Sequence, residues 1–111
     1  MKINKDTLKA TYEFLVKLNP FNKWNLPDSS QVIFKVINDD EVLGLYEPEP
    51  DCISISKARH DHLDTIIKTM AHEMCHLKLY LNNKTYEYHN SQFKKLTKQV
   101  AIQFGFDHKE L

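Results

Sequence analysis

Three histidines and one glutamate within the stretch TMAHEMCHLKLYLNNKTYEYHNSQF, Thr69 to Phe93, are the residues of this chain best spaced to do chemistry. A helix turns about 100° per residue, so His72 and His76 project from one face, one turn apart. Two imidazoles at that spacing can share one tetrahedral zinc ion, and Glu73 between them can reach a water on the ion without ligating it. A catalytic zinc site takes three protein ligands and leaves its fourth position to water. The residue types offer several third ligands. His89 lies 13 residues past His76 and Glu87 lies 11 past it, Cys52 stands upstream on a strand end, and His60 and His62 precede the helix as exposed loop residues.

For the two histidines to share a face, the chain must be helical over about 64–82. Ile67, Met70, Ala71, Met74, Leu77 and Leu81 then cluster opposite them, which buries one stripe and turns the histidines toward a cleft. Cys75 falls between the two faces, where packing accounts for it. Asp61 or Asp64 can cap the start of this helix, and Asn82-Asn83 mark its end. A last helix over about 90–104 can begin at Asn90 or Ser91 and stop at Gly105. Its core stripe is Phe93, Leu96, Val100 and Phe104. Lys94, Lys95 and Lys98 lie on the opposite, solvated face. Upstream, residues 4–18 read as an amphipathic helix with Leu8, Tyr12, Leu15 and Leu18 on one side, stopped by Asn19-Pro20. Phe21, Trp24 and Leu26 pack inward from an irregular segment. The period then changes, and residues 31–37, 41–46 and 52–56 read as strands divided by turn residues. The expected order is α-β-β-β-α-α, an α+β fold with a small three-stranded antiparallel sheet and about three helices.

With 111 residues, 41% hydrophobic and 27% charged, the chain has the composition of one soluble domain, spanning 1–111. No apolar run approaches the roughly 20 residues that cross a bilayer. The segment MKINKDTLKATYEF lacks the apolar core of a signal peptide, so the expected location is the cytoplasm. Lys plus Arg and Asp plus Glu each number 15, and a formal net charge of zero argues against strong nonspecific binding to nucleic acid. Two cysteines, Cys52 and Cys75, are too few for a disulfide framework or a zinc ribbon and read as reduced thiols.

The run His72-Glu73-Met74-Cys75-His76-Leu77, followed by His89-Asn90-Ser91-Gln92-Phe93, resembles the SprT/Spartan family of zinc metallopeptidases. That family's pattern is HExxH, a spacer of variable length and a histidine commonly followed by Gly-x-x-Phe. Here Phe93 stands at the matching place and Asn90 replaces the glycine, a mild departure because Asn tolerates left-handed backbone. The preceding ISISKARHDHLDTIIKTMAHEMCHL is similar to the strand, loop and helix that lead into the family's motif, so the likeness covers roughly residues 53–97. The resemblance implies a minimal zincin-like domain with one zinc on His72, His76 and His89, and Glu73 as general base. It implies cleavage of proteins attached to DNA, with DNA as activating partner. Lys94, Lys95 and Lys98 are the weak candidates for that contact. Family members often carry a C-terminal zinc ribbon, for which this sequence has no cysteines, and a monomer is expected.

Other zinc-peptidase patterns fit less well. A metzincin would place glycine and a third histidine just after His76, where Leu79, Tyr80 and Asn82 stand. A thermolysin-like enzyme would use a glutamate on another helix, and Glu87 reads as a loop residue. A peptide deformylase would pair HExxH with an upstream cysteine such as Cys52, but it needs a glycine-rich loop, and Gly44 and Gly105 are the only glycines. A different class remains open: a non-catalytic zinc-binding interaction module, closed by Cys52 as fourth ligand, in which Glu73 would have no task. In the enzyme reading, a substrate chain pairs with an exposed strand. The nearest in sequence contains Ile53, Ser54 and Ile55; the plainer reading is that the isoleucines fill the core while Ser54 and Ser56 face solvent. Tyr80, Tyr86 and Tyr88 are close in sequence, with aromatic packing as their expected role.

Overall fold

Asn4 starts the first helix by accepting the Thr7 N–H on its side-chain oxygen, 2.9 Å away, which satisfies one orphan donor of the first turn. That helix, α1 (Lys5–Val16), buries Leu8, Tyr12 and Leu15 along one stripe. Leu18, expected on the stripe, lies past the helix end and is exposed. The structure is a computed structural model that describes residues 3–59, 62–107, 109 and 111; His60 and Asp61 lie outside the described residues. After α1 the chain makes short 3-10 turns in which Phe21 and Trp24 are buried edge to face, with ring centroids 4.9 Å apart. Leu26 packs against the same core.

Three strands follow, β1 (Ile33–Ile37), β2 (Gly44–Glu47) and β3 (Cys52–Ser56). Their order is β1-β3-β2, with β3 parallel to β1 and antiparallel to β2. The sheet is therefore mixed, where consecutive strands predict an antiparallel one. The short 48–51 turn folds β2 and β3 into a hairpin, so β3 runs in the direction of β1 and inserts between the other two. All five β3 residues are buried, as a central strand requires. Ile53 aligns with Phe34 and Tyr46 on the helix-covered face. Ser54 and Ser56 face the other way and are also buried, in contrast to the solvent-facing expectation. The Ser56 hydroxyl accepts the Asp39 N–H at 3.0 Å, so the loop after β1 closes over it.

Helix α2 (Leu63–Leu81) packs on β2 and β3, and α1 packs on β1 and α2. Its core stripe is Ile66, Met70, Ala71, Met74 and Leu77, all fully buried. Ile67 is only partly buried, and Leu81 in the last turn is exposed, so the stripe begins one residue earlier and ends one turn sooner than the sequence pattern predicts. His62 takes the N-cap position and Asp64 sits inside the first turn, where its charge complements the helix dipole. Asn82 ends the helix, and Asn83 adopts a left-handed φ of 56°.

Helix α3 (Ser91–Phe104) packs on α2 through Phe93, Thr97, Val100 and Ala101, with Leu96 and Phe104 partly buried. Gly105, at φ 76°, takes the left-handed conformation that ends it, and the N–H groups of Gly105 and Phe106 both donate to the Ala101 carbonyl. Asn90 is extended, at φ −80° and ψ −174°, so its value is not tolerance of left-handed backbone. Its side chain caps α3, accepting the Phe93 N–H at 3.0 Å. Asn90→Ala should cost about 1 kcal/mol of stability, and Asn90→Asp should restore most of it. Denaturant melts of the two variants check this; equal stabilities would deny the cap its role.

Candidate metal centre

His72 and His76 leave α2 one turn apart, and His89 enters from the loop just before α3. One ring nitrogen from each lies within 4.8 Å of the others. The Nε2 atoms of His72 and His76 are 3.2 Å apart. The opposite nitrogens are anchored to main chain: Nδ1 of His72 donates to the Leu111 carbonyl at 3.0 Å, and Nδ1 of His76 donates to the Tyr86 carbonyl. A neutral imidazole that gives its proton to a carbonyl from Nδ1 presents a lone pair at Nε2. Two such lone pairs at 3.2 Å repel unless a cation lies between them. The donor set, three nitrogen ligands of which two are oriented from behind by carbonyls, fits a zinc-type ion.

Phe93, the first buried residue of α3, forms the floor under all three rings. It stacks on His76 with centroids 4.4 Å apart and on His89 at 4.6 Å, and meets His72 edge-on at 4.9 Å. Burial favours the uncharged forms throughout this region. It drives the His72 pKa down to about 4, helped by His76 and His89 and opposed by the Leu111 carbonyl. It also lowers His76. Glu73, 5% exposed, is pushed up to about 8 by burial. The fully buried Cys75 thiol is pushed up by burial and by Glu73, which keeps it an inert packing residue.

The histidines and Glu73 open on a cleft of about 840 Å³, whose other wall is β2 with the loop before it. Cys52–Ser56 has partners on both sides and offers no free edge, so the sequence-based assignment of Ile53, Ser54 and Ile55 to a substrate-pairing strand does not hold. The edge strand on the cleft is β2. The Ser56 N–H donates to the Leu43 carbonyl at 2.9 Å, which makes Leu43 and Ser56 a hydrogen-bonded pair. The next pair in register, Gly44 and Ile55, is then non-hydrogen-bonded. The main-chain N–H and C=O groups of Gly44 and Tyr46 therefore point away from β3, toward the free edge.

The remaining candidates are dispersed. Glu87 lines the cleft but does not join the three histidines. Cys52 is buried in the sheet, its Sγ 4.0 Å from Ser54 Oγ, and His62 sits at the start of α2; neither belongs to the cluster. Lys94, Lys95 and Lys98 are exposed on the outer face of α3. Tyr80 and Tyr86 pack with Tyr46, the three ring-centroid distances running from 5.3 to 6.3 Å, and Tyr88 is exposed. The hydrogen bond from Tyr80 to Glu49 pushes its pKa up to about 12. Sequence reasoning missed the carbonyls of Tyr86 and Leu111, which no side-chain pattern reveals, and the floor role of Phe93, which helical spacing reads only as core.

Comparison with known proteins identifies the family. A family model described as the SprT-like family matches residues 11–110. The chain belongs to the SprT-like family. Proteins named "Protein SprT-like" from Staphylococcus aureus strains JH9 and Newman are each 32% identical to this SprT-like chain over 60 residues. The match covers 52% of this chain and 40% of each relative, so it spans less than half of their length.

His89→Ala should sharply weaken zinc retention while Glu87→Ala leaves it unchanged, measured by metal analysis after dialysis; equal retention in both would remove His89 from the ligand set. A second prediction concerns metal-free protein. His72 holds its proton only below about pH 4 when folded but from about 6.5 downward when unfolded, so it contributes a loss of stability as pH falls through that window. Glu73 keeps its proton to about 8 when folded but loses it near 4.5 when unfolded, so it contributes a loss as pH rises. Between about 6.5 and 8 only the Glu73 effect remains of these two. Melting curves of metal-stripped protein should fall over that range for the parent chain and stay level for Glu73→Gln; parallel curves would show that the buried carboxyl is not responsible.

Proposed function

We propose that this SprT-like chain is a zinc-dependent metalloendopeptidase that hydrolyses peptide bonds of a protein held in extended form. The observation that carries the reading is one cleft in which three clustered imidazoles, a buried carboxyl group and a free strand edge face one another. His72, His76 and His89 would hold the ion. When bound, it would supply Lewis acidity that acidifies water and polarises a carbonyl. The cation would also offset the burial that keeps Glu73 protonated, leaving a carboxylate beside the site. Glu73 then takes a proton from the attacking water and returns it to the leaving amine. The outward main-chain groups of Gly44 and Tyr46 would pair with the substrate backbone, which fixes an extended chain without demanding a particular side chain.

Family likeness extends the proposal to proteins attached to DNA. Its support within this chain is Lys94, Lys95 and Lys98 on the exposed face of α3, a small patch on a chain of zero net charge. A single catalytic unit acting as a monomer suffices for the mechanism. Among the described residues no helix is long and apolar enough to cross a membrane.

Glu73→Gln should keep the fold and the bound zinc and abolish cleavage, on the order of a hundredfold or more in kcat. The assay is proteolysis of candidate proteins by zinc-loaded protein, with and without single- and double-stranded DNA. Undiminished cleavage by Glu73→Gln would refute the base, and indifference to DNA would confine the substrate to free protein.

A further inference from the structure

Gly44 opens β2 at the point where the strand crosses α2. A methyl group placed on it would lie 2.9 Å from Thr69 Cγ2, 3.0 Å from the Ser54 carbonyl oxygen and 3.1 Å from Glu73 Oε2. Thr69 and Glu73 are one turn apart on α2, so the strand backbone is pressed between their side chains. No side chain other than hydrogen fits there without moving the helix, the strand or the Glu73 carboxyl group. The same residue turns its N–H and C=O outward to the free edge, as the register of the neighbouring hydrogen bond requires. Gly44 thus leaves no room for a side chain against the carboxyl group on one side and offers substrate-pairing groups on the other.

The geometry points to Gly44 as a positioning residue that holds the pairing edge of β2 in contact with Glu73. It sets the distance between the backbone of an extended substrate and the group that moves its protons. The assignment rests on the peptidase reading of the site. A longer residue at this place would still let the strand pair with β3, because the non-hydrogen-bonded pair leaves ladder bonds to Leu43 and Leu45. It would displace the edge from the base by a few tenths of an ångström, enough to matter for a proton in flight. Thr69 sets the tightest contact, so the two positions are coupled in size.

The test is a double-mutant cycle of Gly44→Ala and Thr69→Ser in the zinc-loaded 111-residue chain. Gly44→Ala should lower kcat about tenfold with a much smaller change in KM, while metal content and melting temperature stay near those of the parent. Adding Thr69→Ser, which removes the methyl group that the new alanine side chain would strike, should recover most of the lost kcat. Unchanged kcat in Gly44→Ala overturns the assignment. A loss accompanied by unfolding or loss of zinc, with no recovery in the double variant, also overturns it, because the glycine would then serve only the fold. A titration with a peptide hydroxamate reads the edge without turnover. Gly44→Ala should weaken that ligand about tenfold, because it must grip the ion and the edge at once whereas a ground-state substrate pairs with the edge alone. The variant should leave acetohydroxamate, which lacks the peptide, unaffected. A parent chain that binds the peptide hydroxamate but cuts nothing overturns the peptidase reading alone. Equal binding by parent and variant overturns the role of Gly44.

Discussion

A histidine can aim a lone pair at a metal only when its other nitrogen has somewhere to put a proton. In this fold that requirement is met by two main-chain carbonyls, Tyr86 behind His76 and Leu111 behind His72. The two acceptors come from the loop after α2 and from the segment after α3, so the site depends on chain that is distant in sequence from the histidines it orients. The α2–α3 connection must return to the helix face for Tyr86 to reach His76, and the chain must reverse at Gly105 for Leu111 to reach His72. The topology downstream of α2 serves this orientation. Phe93 completes it by filling the space under the rings, which fixes their tilt and excludes water from one side.

The cost of the arrangement is local. Burying imidazoles and a carboxyl group side by side penalises every charged form, which is why His72 and Glu73 titrate far from their ordinary ranges in opposite directions. A domain of this size compensates with a continuous core of Leu8, Tyr12, Leu15, Ile53, Ile55, Met70, Met74 and Val100, all with no measurable exposure. Polar groups at a cleft that would be simpler to fill with leucine mark a site retained for a purpose other than stability.

The helices were legible in the sequence because their signals are local. The 3.6-residue period, the cap at Asn90 and the stop at Gly105 each act within a turn of where they stand. That His89 joins His72 and His76 was legible only through the family resemblance, because spacing alone left Glu87, Cys52, His60 and His62 open as third ligands. The sheet order was not. Whether β3 lies beside β1 or beyond β2 depends on which strand can bury both faces, a property of the assembled core that strand propensity does not contain. That error carried over to the substrate edge, which the sequence places on Ile53 to Ile55 and the fold places on β2. Gly44 likewise has no local signal that singles it out within the 41–46 strand; only the packed α2 reveals it as the place where helix and strand meet.

The loop that carries His89 is attached to α2 through the Tyr86 carbonyl before His89 itself takes part. Two of the three clustered histidines stand on a buried helix, while the third rides on a segment whose residues are largely exposed. Such a division would make a bound ion a clasp between the buried helix and the exposed loop. Exchange of the metal would then be timed by the brief lifting of this one loop and not by unfolding of the domain, with the hydrogen bond to Tyr86 acting as the hinge pin that returns it.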